Sequence, residues 1–275
     1  MKRVLQHRHQ ILLDDTVRMQ AYTRAIRAIV RPGDIVADLG TGTGALAFLA
    51  LDAGAAHVHA VEVEPHTLAL ARHEAAARGV ADRITFYAGL AQAVRPKKLV
   101  DAIMTETLGS LGFDENILPL LCTARRVWLK PGGRIIPHGC ALTIAPTEFV
   151  SWRRSWQLRD EAIPAAQLIA NPQTSPVCAF RTARATAWQF SPTFRITRNA
   201  TLTGFAGWFT LHLTPTIRFA TGPHDPPTHW RQAFLPLRRP LTVTAGQRLK
   251  CWLRIAPDAS LVNSIVEYDF ERVGP

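Results

Sequence analysis

Asp38-Leu39-Gly40-Thr41-Gly42-Thr43-Gly44 places three glycines at alternate positions behind an acid, directly after an apolar run. Lacking Cβ, glycines in such a turn let backbone N–H groups approach a phosphate or a nucleoside closely. Gly40-x-Gly42-x-x-Ala45 also satisfies the dinucleotide fingerprint, so a dinucleotide, another nucleoside cofactor and a bare connecting turn all stay open. Glu62 follows about twenty residues on, where a carboxylate accepts both ribose hydroxyls of either cofactor. A second pair of acids, Glu106 and Glu115, stands nine positions apart around the loop Leu-Gly-Ser-Leu-Gly-Phe-Asp-Glu-Asn. Two carboxylates brought together by such a loop could grip a planar guanidinium through paired N–H to oxygen bonds. Alternatively, Glu115 is an acid at the start of a helix over Asn116–Arg126, complementing its dipole.

These residues need elements to hold them. Positions 16–30 put Val17, Ala21, Ile26 and Ile29-Val30 on one helical face, and Pro32-Gly33 ends the pattern. An apolar strand at Asp34–Asp38 then runs into the glycine turn. A helix is expected at Ala45–Ala53, a strand at His57–Glu62, a helix at Thr67–Arg78, and strands at Ile84–Tyr87 and Leu99–Met104. Strands alternating with helices imply right-handed crossovers and a parallel sheet, whose ligand crevice lies at the carboxyl ends of the strands. Glu106, at the end of the fourth strand, falls there. After Leu129-Lys130-Pro131-Gly132-Gly133 and the strand Arg134-Ile135-Ile136, the pattern changes to short strands rich in Thr, Phe and Trp with proline-bearing turns. They are expected at Ala141–Ile144, Leu202–Leu213, Thr216–Phe219, Leu241–Val243, Leu249–Ile255 and Ile265–Phe270, an all-β module. The boundary is expected near Pro146, and the tract from Glu148 to Ser191 reads as an irregular or helical insertion.

The chain has 275 residues, 47% of them hydrophobic and 19% charged, which excludes disorder and suffices for one large or two modest cores. No run of about 18 apolar residues is present, and the basic start Met-Lys-Arg-Val-Leu-Gln-His-Arg-His lacks the apolar centre of a signal peptide, so a cytoplasmic, non-membrane protein is expected. Cys122, Cys140, Cys178 and Cys251 are too widely spaced to suggest a metal pair or a disulfide framework, and no metal is expected. The net charge of +11 divides as +4 over residues 1–145 and +7 over 146–275. Arginines are scattered, with doublets only at Arg125-Arg126, Arg153-Arg154 and Arg238-Arg239, so a dedicated nucleic-acid surface is not indicated.

The acid ahead of the glycines, the third glycine and the late Lys130-Pro131-Gly132-Gly133 turn resemble the class I S-adenosylmethionine methyltransferase pattern more than the dehydrogenase one. Within that class the chain resembles the protein arginine methyltransferase family. That family's double-glutamate loop begins Ser-Glu-Trp-Met-Gly and closes on a second Glu at the same nine-residue interval. His9-x-x-Leu12-Leu13-Asp14-Asp15-Thr16-Val17-Arg18-x-x-x-Tyr22 is similar to the family's helix ahead of the cofactor domain. Pro227-Thr228-His229-Trp230-Arg231-Gln232 is similar to its Thr-His-Trp loop, and Gly204–Phe209 and Val266–Phe270 to its barrel strands.

The resemblance implies an α/β fold: an N-terminal helical segment over 1–30, a Rossmann-like domain binding S-adenosyl-L-methionine over 31–145, and a β-barrel substrate domain over 146–275. Carried over by position, Glu106 and Glu115 bind the guanidinium and Asp15 and His229 form an aspartate–histidine pair. Arg18 meets the cofactor carboxylate, Glu62 the ribose and Gln92, where the family has a glutamate, the adenine, while Asp38, Gly40, Gly42 and Gly44 form the cofactor turn. By local pattern alone, Asp15 is equally a helix cap and His229 a loop histidine. The expected reaction is methyl transfer to a guanidinium, most plainly arginine in a peptide or protein. The alternatives are a small-molecule methyltransferase of natural-product biosynthesis and a catalytically idle cofactor-binding protein. Three departures stand out. The residues before His9 lack the family's aromatic lid helix, Thr107, Ser110 and Asp114 replace aromatics of the loop, and 146–204 is short for a helical dimerisation arm. A homodimer is therefore expected only by another route, and a polybasic tail is not the expected substrate.

Overall fold

A computed structural model describes residues 14–151, 159–184, 187–259 and 264–274. His9, with the rest of the segment before Asp14, and the Arg153-Arg154 doublet lie outside them.

Helix α1 (Thr16–Ile29) starts at Asp15, whose side chain accepts the Arg18 N–H, and stops ahead of Pro32-Gly33. Its buried stripe is Arg18, Ala21, Tyr22, Ala25 and Ile26, a spacing of three and four. Val17 and Ile29, expected on that face, are only partly buried. An arginine takes a core-facing place because a carboxylate meets it there.

The chain then alternates: β1 (Ile35–Leu39), α2 (Ala45–Asp52), β2 (His57–Glu62), α3 (Pro65–Ala77), β3 (Ile84–Ala88), β4 (Val100–Thr105), α4 (Ile117–Val127) and β5 (Leu129–Ile136). The five strands form one parallel sheet in the order β3-β2-β1-β4-β5, a Rossmann-like arrangement. Both faces are covered, so Val36 to Leu39 are all buried. The order reverses between β1 and β4, the point at which open α/β sheets hold their ligands. Register decides what meets there: Leu39 lies opposite both Val61 and Thr105. The glycine turn, Glu62 and Glu106 therefore leave the sheet side by side. Lys130-Pro131-Gly132-Gly133 is not a turn before β5 but an irregularity inside it, since the register slips between Val100 and Ala102 of β4.

The rest is antiparallel. Strands β6 (Gly139–Thr147), β7 (Arg159–Glu161), β8 (Gln173–Thr174) and β9 (Cys178–Ala179) lead to β10 (Trp188–Phe190) and β11 (Thr193–Arg195). After them come β12 (Ala200–His212), β13 (Arg218–Ala220), β14 (Gln232–Val243), β15 (Arg248–Pro257) and β16 (Ser264–Val273). One sheet runs β7-β14-β12-β6-β8 with β13 and β9 at its margins; another runs β10-β15-β11 with β16 against β15. Among the described residues the pairings close no barrel, so the barrel-like expectation resolves into two sheets. Strand β6, on which the expected boundary near Pro146 falls, pairs along its length with β12. The Glu148–Ser191 tract, expected to be irregular or helical, holds short strands and a single 3-10 turn at Ala165–Gln167, with no α-helix among its described residues. From Ile163 to Val177, Pro164, Pro172 and Pro176 with β-branched residues between them leave no stretch long enough to nucleate a helix.

Candidate functional site

Gly40, Gly42 and Gly44 adopt φ of 78°, 57° and 93°, values that L side chains avoid. At Gly40 a Cβ would also stand 2.8 Å from Thr107 Cγ2, so the turn and the glutamate loop are packed backbone to side chain. Gly40 and Thr41 N–H both donate to Val61 O at 2.9 Å. Glu62 is oriented from two sides, its carboxylate accepting Gly42 N–H and Glu64 N–H, each at 2.9 Å. Asp38 has no exposed surface. It accepts Thr41 Oγ1–H at 2.6 Å, its Oδ1 has no hydrogen-bond partner, and burial pushes its carboxyl up to about 7.

A cleft of about 370 Å³ opens at the reversal of strand order, lined among others by Gly40, Glu62, Gln92, Glu106, Thr107 and Glu115. Five of the expected site residues thus share one wall system. Arg18 reaches it from α1: its guanidinium forms a buried ion pair with Glu106. Burial pushes the Glu106 carboxyl up, against the opposing pull of Arg18 and His229. Glu115 presents accessible surface to the cleft yet is ringed by protein. That enclosure, with the negative charges of Asp114, Glu106 and Asp160, pushes its carboxyl up to about 7. Asp114, folded back to accept Leu111 N–H at 2.9 Å, is raised to about 6, chiefly by burial. Glu115 directly precedes Asn116, the left-handed residue that caps α4, and so stands just outside the start of that helix, as the alternative reading had it.

Asp15 and His229 do meet, 214 positions apart: Asp15 Oδ2 accepts the His229 backbone N–H and lies 2.9 Å from its Nδ1. The pair lines a different, open groove of about 850 Å³ beside the cleft. The local reading of Asp15 as a helix cap and the pairing implied by the resemblance coexist in the geometry, because its Oδ1 caps α1 while its Oδ2 holds the histidine. Burial alone would raise this carboxyl; hydrogen bonds from His229 and the Arg18 N–H outweigh it and hold it below the usual range.

The residues that fix the glutamate loop were mostly not identified from the sequence. Trp230 Nε1 donates to Leu108 O at 2.7 Å, and Tyr22 OH donates to Thr105 O at 3.2 Å. Phe113 stacks on Trp188 with ring centroids 4.9 Å apart, and Ser110 Oγ donates to Asp160. A Cβ on Gly112 would collide with Cys140 Sγ at 2.7 Å. Trp230 and Tyr22 lay inside matched motifs but carried no role; Phe113, Trp188 and Asp160 gave no local signal. The cysteines remain free thiols, although the fold sets Cys140 opposite Cys178. No cluster of three metal-ligating side chains occurs among the described residues.

Sheet order, glycine turn and the acid that ends β2 define the class I methyltransferase fold, and a model described as a methyltransferase domain matches residues 36–133. A second, the arginine methyltransferase oligomerization subdomain, matches 160–271. Histone-arginine methyltransferase CARMER of Anopheles gambiae is 29% identical over 87% of this chain and 44% of its own length. Arginine N(omega)-methyltransferase of Streptomyces achromogenes subsp. streptozoticus is 28% identical over 88% and 74%. The chain thus spans under half of one relative and about three-quarters of the other. The Trypanosoma brucei PRMT1 enzyme–prozyme heterotetramer with AdoHcy superposes with a TM-score of 0.82 at 20% identity, over 97% of this chain and 93% of that one. Protein arginine methyltransferase 10 of Arabidopsis thaliana gives 0.79 at 21%, over 98% of both. By these matches the chain is similar to the protein arginine methyltransferases along most of its length. No helix among its described residues is long and apolar enough to cross a membrane.

Proposed function

We propose that the protein transfers a methyl group from S-adenosyl-L-methionine to a guanidinium nitrogen of arginine in a peptide or protein. The observation that carries the reading is the shared cleft, in which Glu106 and Glu115 face the same space as Gly40, Glu62 and Gln92. The residues fit the cofactor: the glycine cradle excludes side chains, and Asp38 Oδ1, buried without a partner, suits a nucleoside bearing an ammonium group. Bound there, S-adenosyl-L-methionine supplies an electrophilic sulfonium methyl, whose in-line displacement breaks a sulfur–carbon bond, forms a nitrogen–carbon bond and leaves the product a proton to shed.

In this reading Glu62 accepts the ribose hydroxyls, Gln92 contacts the adenine, and Asp38, Gly40, Gly42 and Gly44 shape the turn beneath. Arg18, ion-paired with Glu106 in this structure, turns to the cofactor carboxylate and leaves Glu106 to join Glu115 in holding the guanidinium by charged, paired hydrogen bonds that keep one nitrogen aimed at the methyl. Asp15 and His229 tie the helical segment to the second domain and stand ready to pass on the released proton. A first domain over 31–145 and a substrate-holding second domain over 146–275 go with these roles, the second built as two antiparallel sheets that take in β6 from ahead of that boundary. A match to an oligomerization subdomain supports self-association, and because 146–204 is short for the family's helical arm, a homodimer would use another surface. Four free thiols fit the reducing cytoplasm.

A small guanidino compound is the second reading. It is favoured by the small polar Thr107 and Ser110 in the loop, and by a Streptomyces relative named for arginine itself. With a net charge of +11, a neutral or acidic peptide should also outcompete a polybasic one. Incubation with labelled cofactor and a panel of acidic and polybasic arginine peptides, free arginine and non-guanidino amines tests all of this. Methyl located by mass spectrometry on a guanidino nitrogen supports the proposal, and label found only on other amines overturns it.

A further inference from the structure

The glutamate loop is gripped from the second domain at four places, and three of the grips are buried. Trp230, Phe113 and Gly112 meet partners with little or no exposed surface. The fourth differs in kind. Asp160, on the short edge strand β7 beside β14, is exposed, yet its carboxylate reaches in to accept the hydroxyl of buried Ser110. An exposed aspartate gains nothing by burial, so this contact is not explained by packing. Ser110 lies midway between Glu106 and Glu115, at the bend of the loop that joins them. With only eight residues between the two glutamates, holding the midpoint limits where both ends can settle.

We propose that Asp160 is a positioning residue: by holding Ser110 from the second domain it sets the separation at which Glu106 and Glu115 present their carboxylates to a guanidinium. The inference rests on the arginine reading of those glutamates and adds a residue to it. Asp160 does not touch the guanidinium; it acts through the loop and through its charge. The groups facing Glu115 are Asp114 on its own loop, Glu106 from the end of β4 and Asp160 from β7, all of one sign. Removing the charge of Asp160 while keeping its oxygen therefore separates its two effects.

The full chain is compared with Ser110→Ala, Asp160→Ala, Asp160→Asn and the Ser110→Ala/Asp160→Ala double variant. S-adenosylhomocysteine affinity, KM and kcat for an arginine peptide, the pH profile and the thermal midpoint against pH are all read. Ser110→Ala and Asp160→Ala should each raise KM roughly tenfold by loosening a charge-assisted hydrogen bond. The double variant should be no worse than either, because the two side chains serve one contact. Nucleoside affinity should not change. Asp160→Asn should keep most of the KM but move the acid limb of kcat/KM down by on the order of half a pH unit, as one like charge is removed. A double variant whose losses add, an unchanged KM in Asp160→Ala, or an unmoved limb in Asp160→Asn overturns the proposal. Should the wild type methylate no arginine, the reading of the glutamates fails. The substrate-free midpoint then judges Asp160 alone: its decline toward neutral pH shrinks in Asp160→Asn if the charge couples to the loop, and is identical to wild type if it does not.

Discussion

Lowering the pH from 8 to 6 should cut kcat/KM on an arginine peptide about tenfold, through Glu115. The group works as a carboxylate, and enclosure beside Asp114, Glu106 and Asp160 pushes it up to about 7. With that value it is about nine-tenths ionised at pH 8 and about one-tenth at pH 6. The guanidinium stays charged throughout, so the limb belongs to the enzyme. Because water reaches Glu115, the effect is expected in substrate capture and not as a large change in folding free energy. Asp114→Asn removes the largest like charge while leaving an oxygen for Leu111 N–H, and should shift the limb downward by roughly half a unit to one unit. Initial rates at subsaturating peptide, constant ionic strength and saturating cofactor measure both. A profile flat from pH 6 to 8, or a limb that stays in place in Asp114→Asn, would refute the reasoning.

Glu106→Gln should abolish most methyl transfer and leave S-adenosylhomocysteine affinity by calorimetry nearly intact; loss of nucleoside binding with unaltered turnover per bound complex would make the residue structural. Glu62→Ala should weaken nucleoside binding by about 1–3 kcal/mol through lost charged hydrogen bonds, and unchanged calorimetry would remove Glu62 from the cofactor site. Asp38 is raised in the folded state from 3.8 to about 7. Its contribution is therefore fully present at low pH and lost as pH rises through about 7. Asp38→Asn should flatten the fall in Tm between pH 5 and 8, and thermal scans parallel to wild type would count against a carboxyl raised by burial. Asp15→Ala loses the cap of α1 and the tie to His229 together and should cost about 2–3 kcal/mol in urea unfolding, with Asp15→Asn recovering part; wild-type stability in Asp15→Ala would mean that neither contact matters.

The alternation of strands and helices up to Ile136 was legible because most of its elements are apolar runs of strand or helix length that stop at or just before glycine or proline. The glycine turn and Glu62 were legible for a related reason: a phosphate- or ribose-binding βαβ unit is local, spanning some thirty residues. The second half read less well. Strand β14 was expected only at its last three residues, since Pro236, Arg238, Arg239 and Pro240 break its alternation and only pairing with β12 and β7 makes it a strand. Between Glu148 and Ser191 strands of two or three residues carry no period at all.

The cleft shows the same division. Sequence spacing brought Glu106 and Glu115 to notice, and resemblance joined Asp15 to His229, but neither could give a carboxylate its proton affinity or a loop its place. Those came from side chains far along the chain: Arg18 on Glu106, Trp230 on Leu108, Trp188 on Phe113 and Asp160 on Ser110. Local propensity acts through neighbours a few residues away and is written in their order. Burial, ion pairing and the crowding of like charges depend on distances in space, which exist only once the two halves have packed.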